Sequence, residues 1–337
     1  MFRLAAVLAF LAMPVHAGLD QADVTILGFD QLDGWETDDH QAALGVFLDT
    51  CRLLDDPEWA PICTIAQSQD SGRTFFELFF RPVLIEDGKP GLFTGYFEPQ
   101  IRGSRTPDAR YRYPVYRKPS GSAGYTRRQI EEGGVLRGRG LEIAWVEDPI
   151  ELQFLQIQGS GRIRLPGGGT IRLGYAGSNG HRFNSLGDKL VSMGVYNRHQ
   201  VSAQAIQSWV RRNPVEGQEL MWHNTSYVYF RELGRVAPSE GPIGAMNRSI
   251  TAERTLAVDP EYTPLGAPIW LEKGGAGAFN RLMIAQDTGS RIKGAQRADI
   301  FFGTGDDAGI RAGQVRDPGR MIVLLPIQRA FALSPEG

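Results

Sequence analysis

The first part of the chain carries apolar residues at helical spacing. Four of them recur every three or four positions, which places them on one face of a helix. They are Ala43, Phe47, Cys51 and Leu54. Asp38 and Asp39 precede them, at a position where carboxylates accept the unpaired N–H groups of a helix N-terminus. The pattern predicts a helix that begins after Asp39, and a second helix over 72–80 that ends before Pro82.

After Phe80 the pattern changes to short β-branched and aromatic runs separated by Gly and Pro. The runs that we interpret as strands are Gly91–Phe97, Tyr113–Tyr116, Phe154–Ile157, Thr170–Tyr175, Pro268–Leu271, Leu282–Ala285, Ile300–Phe302 and Met321–Leu325. Many short strands with frequent turns are typical of barrels rather than of parallel βαβ units. Leu186–Met193 and Ser202–Arg212 have helical spacing instead. The sequence therefore predicts a mainly β fold with a few helices.

The N-terminus has the three parts of a cleavable signal peptide. A basic start at Met1–Arg3 leads into the apolar run Leu4–Met13, and Val15-His16-Ala17 supplies small residues for cleavage. A buried N-terminal helix is the alternative. No cysteine follows the run and no later stretch reaches about 18 apolar residues. We expect residues 1–17 to be removed and the mature chain to be periplasmic or secreted, with no membrane anchor in the sequence.

Composition sets the size and excludes some partners. Removal of 17 residues from 337 leaves 320, enough for two domains. A net charge of −2 argues against a general nucleic-acid binder. The only cysteines are Cys51 and Cys63, and in an oxidising compartment this spacing favours a short-loop disulfide, with two buried thiols as the alternative.

Two breaks in the pattern suggest domain limits. Residues 100–140 hold ten Arg/Lys and three Asp/Glu, a local charge of 10 − 3 = +7, together with several prolines. This stretch either attracts acidic groups of a substrate or is a solvated surface loop. Residues 236–242 are rich in Pro, Ser and Gly, as linkers are. The two breaks bound either consecutive domains or an insertion within one domain.

Several kinds of chemistry are not indicated. The chain has no phosphate-binding loop of the Walker type, and Gly159-Ser160-Gly161 lacks the spacing of a nucleophile elbow. The histidines after the signal segment show no metal-ligand spacing. They are His40, His181, His199 and His223. We expect no metal and no cofactor.

Three aspartates in the last hundred residues each border a strand-like run and a turn. Asp259 precedes Pro and Asp287 precedes Thr-Gly, which suits carboxylates that cap turns and support a site from there. Asp299 begins an apolar strand, where alternation places it on the face of Phe301. Partial desolvation there would raise the pKa of Asp299, as a general acid requires. A buried structural aspartate is the alternative.

The segments around these aspartates resemble a known family. Asp287–Gly294 and Arg297–Gly303, followed by Ala312-Gly313 and Pro318–Leu325, resemble the three-aspartate domain of bacterial cell-wall enzymes. Upstream segments are similar to motifs of membrane-bound lytic murein transglycosylase A. They are Leu92–Pro99, Gln156–Gly161, Gly174–His181 and Asn224–Phe230. These motifs occur in the family's order and cover residues 90 to 326.

The resemblance implies a fold and a catalytic residue. One domain would be a double-psi β-barrel formed by residues 18–99 and 236–334, and residues 100–235 would form an inserted, barrel-like β domain. The resemblance aligns Asp299 with the family's single catalytic aspartate, and Thr94, Gly95 and Tyr96 with a motif that lines the glycan groove. The chain departs from the family name because it lacks the lipidated cysteine, and Ala245–Arg254 matches loosely.

The implied reaction is cleavage of the MurNAc–GlcNAc bond of peptidoglycan. The C6 hydroxyl of MurNAc attacks its own anomeric carbon, so that the nucleophile is already attached to the substrate. One aspartate can then act first as acid and later as base. Alternatives are a hydrolase that uses water with a second carboxylate, Asp287 or Asp306, and a non-catalytic peptidoglycan-binding protein.

Other residues are candidates for sugar contacts by side-chain type. Gln158, Ser160 and Asn179 can bond hydroxyl or N-acetyl groups, with hydrogen bonds inside turns as the alternative. Tyr96, Tyr175 and Phe302 can stack on sugar faces, with core packing as the alternative. The expected partner is the glycan strand of peptidoglycan. Nothing in the sequence indicates the oligomeric state or whether cutting proceeds from strand ends.

Overall fold

The structure is a computed structural model that describes residues 19–54, 56–121, 124–234 and 236–333. The expected signal peptide, residues 1–17, lies outside the described residues. In the described part of the chain, no helix is long and apolar enough to cross a membrane.

Helices and strands alternate along the chain. The helices are α1 His40–Cys51, α2 Ala60–Ala66, α3 Gly72–Phe79, α4 Arg127–Glu131, α5 Pro149–Gln158, α6 Leu186–Ser192, α7 Ala203–Arg212, α8 Pro214–His223, α9 Asp306–Gln314 and α10 Ile327–Leu333. The strands are β1 Asp23–Ile26, β2 Phe80–Glu86, β3 Leu92–Glu98, β4 Gln100–Ser104, β5 Tyr113–Tyr116, β6 Glu142–Val146, β7 Gly161–Arg164, β8 Thr170–Ser178, β9 Val228–Glu232, β10 Thr255–Val258, β11 Pro268–Lys273, β12 Phe279–Thr288, β13 Arg297–Thr304, β14 Arg316–Asp317 and β15 Gly319–Pro326.

The two helices predicted near the N-terminus are confirmed. Asp39 caps α1 through a hydrogen bond from the Ala42 N–H to its side chain, and Ser71 caps α3 in the same way through Thr74. A side chain that accepts one of the first free N–H groups fixes where a helix begins. The helical segments predicted at 186–193 and 202–212 are also present, as α6 and α7.

One predicted strand is wrong. Phe154–Ile157 lies inside the helix α5, and its apolar run reflects burial within a helix rather than strand pairing. The local signals for a helix are strong, because Asp148 caps the N-terminus, Pro149 occupies the first turn and Gly159 ends the helix in the left-handed conformation. A short apolar run cannot be told from a buried strand by periodicity alone.

The helix α8, which begins at Pro214, is one of several short helices that the sequence pattern does not predict. That proline was expected to end the preceding helix, and it does, but it also occupies the first turn of α8. Proline is well suited to the first helical turn because its missing N–H would have no intrahelical partner there. The same residue therefore ends one helix and begins the next.

Contacts divide the chain into two compact units. The first comprises Met1–Phe93, Ala257–Ala298 and Asp317–Gly337, and the second comprises Thr94–Leu256 and Asp299–Arg316. The division falls within β3, β10, β13 and β14, so the chain passes from one unit to the other inside strands. Each unit is thus assembled from distant parts of the sequence.

In the first unit, strands from both ends of the chain pair with one another. The antiparallel order is β1, β2, β15, β11 and β12. The helices α1 to α3 cover an aromatic core in which Phe47, Phe75, Phe76 and Phe80 are fully buried. Cys51 and Cys63 form a disulfide with a Cα–Cα distance of 5.4 Å, which joins the end of α1 to α2.

The second unit contains a six-stranded sheet in the order β5, β6, β4, β7, β8 and β9. Only β4 and β7 are parallel, and the other neighbours are antiparallel. Alternate residues of these strands form one core, and the helices α5 to α8 pack around a second. The chain is therefore mainly β-sheet with accompanying helices, as the sequence predicts.

Candidate functional site

Asp299 and Thr94 are joined by a short hydrogen bond. The Thr94 hydroxyl donates to Asp299 Oδ1 at 2.7 Å. Thr94 lies in β3 and Asp299 in β13, which are neighbouring strands. Both side chains are half-buried. A hydrogen bond of this kind restricts the rotation of the carboxyl group, so the structure holds Asp299 in one orientation.

An aromatic contact lies two residues further along both strands. The rings of Tyr96 and Phe301 have centroids 5.2 Å apart. Because side chains two residues apart in a strand share a face, Thr94 and Tyr96 lie on one side of β3, and Asp299 and Phe301 on one side of β13. The expected placement of Asp299 on the face of Phe301 is consistent with this arrangement.

Gly95 faces away from that pair and is needed for close packing. A Cβ atom at this position would come within 2.7 Å of the Ala312 Cα and 2.9 Å of the Phe302 ring. No side chain fits there unless the helix α9 moves. Gly95 therefore allows α9 to pack directly on β3, behind Thr94 and Tyr96.

The end of α5 is bonded to the same strand. The Phe97 N–H donates to Gln158 Oε1 at 3.1 Å. Gly159 then turns the chain with φ = 79°, and Ser160 follows as a buried residue. The oxygen of the Gln158 amide is thus bonded within the protein, and its NH2 group is available to donate to a ligand.

The side-chain amide of Asn179 forms its hydrogen bonds with backbone groups. Its amide donates to the carbonyls of Tyr125 and Thr225, both at 2.8 Å, and its oxygen accepts from the Tyr227 N–H at 2.9 Å. The residue is 9% exposed. These bonds tie β8 to the loop before β9, so Asn179 shapes the loop and we do not include it among the sugar contacts proposed below.

The aromatic candidates differ in exposure. Tyr175 is 53% exposed on β8, next to an irregularity in the pairing with β9. Phe302 is 7% exposed, packs against Gly95 and has the Arg311 guanidinium over its ring. Core packing therefore accounts for Phe302, whereas Tyr175 has an open face on which a sugar ring can stack.

Asp259 and Asp287 lie in the first unit and hold turns. Asp259 is 2% exposed and accepts hydrogen bonds from Lys293 Nζ and the Gly294 N–H, each at 2.9 Å. Asp287 accepts from the N–H of Thr288 at 2.9 Å. Both carboxylates bind backbone N–H groups as predicted for turn-capping residues.

A buried charge cluster centred on Glu98 is not predicted by the sequence pattern. This carboxylate, 1% exposed, accepts from Arg162 at 2.8 Å, from Arg172 at 3.3 Å and from the Thr304 hydroxyl at 2.7 Å. Burial lowers the pKa of Arg172 from its usual value. The partners are 64 or more residues away from Glu98 in the chain, so no local pattern could indicate the cluster.

The same two arginines bind the segment that was interpreted as a linker. Their Nη groups donate to backbone carbonyls at 2.7 to 2.9 Å. The acceptors are the carbonyls of Ala237, Pro238, Glu240 and Gly241. Glu98 thereby connects the end of β3, the end of β13 and this segment.

The basic stretch at 100–140 is partly neutralised by carboxylates from outside it. Arg105 pairs with Glu232, and Arg110 pairs with Glu147 at 2.8 Å. These pairs favour the solvated-surface interpretation over an electrostatic attraction for the substrate. Within the residues that the structure describes, no group of three or more His, Cys, Asp and Glu side chains could hold a metal ion.

Two protein-family models match the parts of the chain that contain these residues. Residues 92–231 match the MltA specific insert domain, and residues 254–325 match the 3D domain. The first match contains Thr94, Glu98 and Gln158, and the second contains the three aspartates. The chain is thus a 3D-domain protein that carries an MltA-type insert.

Whole-chain comparisons identify the family. A Vibrio cholerae protein named membrane-bound lytic murein transglycosylase A is 33% identical over 259 residues, which make up 73% of this chain and 69% of that protein. The chain belongs to the membrane-bound lytic murein transglycosylase A family. A membrane-bound lytic murein transglycosylase from Agrobacterium tumefaciens has a crystal structure that matches with a TM-score of 0.82 and 32% identity, over 92% of this chain and 99% of that one. Escherichia coli MltA with bound chitohexaose matches with a TM-score of 0.75 and 26% identity, over 90% and 94%.

Proposed function

We propose that this protein is a lytic transglycosylase that cleaves the MurNAc–GlcNAc β-1,4 bond of peptidoglycan and leaves a 1,6-anhydromuramic acid end. Family membership supports the reaction, and the hydrogen bond between Thr94 and Asp299 is the observation that supports this site. It joins the proposed catalytic carboxyl group to the Thr-Gly-Tyr motif on β3.

In the proposed mechanism Asp299 acts twice. As the neutral acid it donates its proton to the glycosidic oxygen, and the C1–O bond breaks with GlcNAc as the leaving group. As the carboxylate it then accepts the proton of the MurNAc C6 hydroxyl while O6 bonds to C1. No water is consumed, and the proton returns to Asp299. Thr94 orients the carboxyl group. Proton transfer requires this, because the acid must lie within hydrogen-bond distance of the oxygen that receives its proton.

The oxocarbenium-like transition state also needs hydrogen-bonding groups around the sugar. We assign Gln158 and Ser160 as polar contacts, and Tyr96 and Tyr175 as aromatic surfaces for the sugar rings. The exposed face of Tyr175 and the unused NH2 group of Gln158 support these assignments. Gly95 contributes by allowing the helix behind the strand to pack closely.

The finer fold and the location are part of the same proposal. We infer a double-psi β-barrel from residues 18–99 and 236–334, with residues 100–235 as the inserted domain. The positions of the two family-model matches support this order. We also infer export to the periplasm or beyond by the signal peptide at 1–17, with peptidoglycan glycan strands as the substrate.

Digestion of purified sacculi separates this proposal from its main alternative. A transglycosylase releases muropeptides with anhydro ends, which are lighter by one water than the reducing ends that a hydrolase produces. Mass spectrometry of the released muropeptides measures the difference directly. Anhydro ends are the expected result. Reducing ends would establish a hydrolase, and no release at all would favour a binding protein.

A further inference from the structure

A second pocket lies in the unit that contains Asp299, but none of the residues assigned above to the reaction lines it. It has a volume of about 540 Å³ and is bounded by parts of α4, α5, α8, β5 and β6. This volume is in the range of small-molecule sites, about 300–1,000 Å³. Its walls include aromatic side chains, namely Tyr113, Tyr116, Trp145, Trp222 and Tyr227.

Two of the tyrosines bring hydroxyl groups that the protein does not use. Tyr116 is 2% exposed and Tyr227 is 1% exposed. Neither hydroxyl makes a hydrogen bond to any residue in the described ranges. Because both side chains line the pocket, their hydroxyl groups can form hydrogen bonds with a ligand there. Burial also raises the pKa of Tyr116 to about 12, so its hydroxyl is a donor at neutral pH.

Some charged residues of the pocket are already bonded within the protein, and others are available to a ligand. Glu131 is already occupied, because it accepts from Arg127 at 2.8 Å and from the Trp222 indole at 3.0 Å. Glu142 also lines the pocket, and its carboxylate has no hydrogen bond or ion pair with the part of the chain that the structure describes. Arg112 lies beside the Tyr113 ring at 5.6 Å. The pocket thus offers one carboxylate, guanidinium groups and phenols to a ligand.

This combination suits a sugar ring. The C–H face of a pyranose packs on an indole, and its hydroxyls both donate to carboxylates and accept from guanidinium and phenol groups. A pocket that contains both a negatively charged acceptor and positively charged donors fits an uncharged, polyhydroxylated ligand better than it fits an ion. The aromatic side chains supply the apolar part of the contact.

We propose that this pocket binds an N-acetylated sugar ring of a glycan strand, as a site separate from that of Asp299. The choice of an N-acetylated sugar, rather than another pyranose, rests on the proposed function. Such a site holds a strand on the enzyme between cuts. It would lower the KM for insoluble sacculi and leave kcat on short soluble strands unchanged.

The test uses tyrosines that differ in position but not in chemistry. The double variant Tyr116→Phe/Tyr227→Phe removes two hydroxyls that line the pocket. The control Tyr229→Phe changes a tyrosine that is also 2% exposed and whose hydroxyl also has no partner among the described residues, but which does not line the pocket. None of the three changes removes a hydrogen bond of the described structure, so thermal melting should show folded proteins of similar stability.

Isothermal titration with chitotriose measures the number of bound equivalents. We expect the double variant to bind one equivalent fewer than the wild type, or to bind that equivalent about tenfold more weakly, and the Tyr229→Phe control to match the wild type. The difference in bound equivalents between the wild type and the double variant reports on this pocket alone, because any other sugar site is the same in both proteins. In parallel, the KM for sacculi should rise several-fold in the double variant only.

Three results would overturn the proposal. They are equal chitotriose binding by the wild type and the double variant, equal loss in the control, and binding of a free stem peptide in place of chitotriose, which would make the pocket a peptide site. The two proposals fail separately. Reducing ends from sacculi would refute the transglycosylase reaction and leave the sugar titration intact, whereas unchanged titration would refute the pocket and leave the anhydro products intact.

Discussion

At the scale of single residues, the proposed chemistry depends on the hydrogen bond between Thr94 and Asp299. We expect Asp299→Asn to abolish cleavage while the protein stays folded. Asn has nearly the same shape as Asp but cannot act as an acid or a base. Loss of general acid–base catalysis typically costs about 10²–10⁴-fold, and because one residue performs both proton transfers we expect the upper end of that range. Release of anhydromuropeptides from sacculi measures the effect.

Asp259→Asn is the matched control for that substitution. It makes the same change at a buried carboxylate whose partners are Lys293 and the Gly294 N–H. We expect a loss of about 1–3 kcal/mol in the free energy of unfolding, with activity reduced only in proportion to the unfolded fraction. A folded Asp299→Asn protein that cleaves at nearly the wild-type rate would contradict the mechanism.

His40 is a buried histidine whose protonation we expect to destabilise the folded protein. Its ring is 5% exposed, lies 4.3 Å from the Trp35 ring, and has an Nε2 atom without a partner in the described structure. Burial lowers the pKa of His40 below its usual 6.5, although Asp38 opposes the shift. The unfolded chain therefore takes up a proton at a higher pH than the folded chain.

We accordingly expect a loss of stability as the pH falls below 6.5, which ends once the pH passes the lowered pKa of the folded protein. One proton accounts for at most about 1.4 kcal/mol per pH unit. Chemical unfolding of the wild type and of His40→Gln between pH 7.5 and pH 5 measures this contribution. The variant should lose less stability over this range. Equal slopes for the two proteins would exclude His40 as the cause.

At the scale of elements, Glu98 holds several strands and one loop together. Glu98→Gln would leave the guanidinium groups of Arg162 and Arg172 buried without their carboxylate. Removal of one partner from a buried ion pair typically costs about 3–5 kcal/mol. We expect a loss of that size in urea unfolding. Glu147→Gln breaks an exposed pair with Arg110, which solvent screens, and should have a much smaller effect on the free energy of unfolding. Similar costs for both variants would contradict the role assigned to Glu98.

The helices α1 and α2 depend on their covalent link. The disulfide closes a loop between residues 12 apart in sequence, and such loops stabilise a protein by roughly 3 kcal/mol in the chain-entropy model. We expect the double variant Cys51→Ser/Cys63→Ser, or the reduced wild type, to lose stability of this order. Peptide mapping without reductant checks the bond itself. Recovery of both cysteines as free thiols from the exported protein would refute it.

At the scale of the whole molecule, the first unit is built from both ends of the chain. The strand β2 pairs with β15, for example Leu84 with Ile322. One core contains residues from the N-terminal helices and from the C-terminal strands. A cut within the second unit should therefore leave the two ends of the chain associated.

Limited proteolysis with trypsin tests this expectation. Residues 105–110 are exposed and contain Arg105 and Arg110, so this loop should be cut early. Trypsin cannot cut within 236–242, because this segment contains no Lys or Arg. We expect the nicked protein to elute as one species in size-exclusion chromatography and to separate only in denaturant. Separation under native conditions would refute a first unit built from both ends.

The sequence by itself determined several of the helices and strands and the candidate carboxylate. The cap at Asp39 and most of the strand runs that were predicted could be recognised because the interactions that define them span only a few residues. Phe154–Ile157 was misassigned because a short apolar run is equally compatible with a buried strand and a buried helix. Asp299 was found through alternation within its strand together with a family motif.

Only the tertiary structure decided which polar side chains serve the protein and which remain for a ligand. Asn179 and Gln158 both carry an amide group. Backbone groups bind both the NH2 and the oxygen of the Asn179 amide, but only the oxygen of the Gln158 amide. Glu98 and its arginines are far apart in the chain, as are the residues around the second pocket. Burial and hydrogen-bond partnership arise when distant segments meet, so no local pattern of hydrophobic and polar residues contains them.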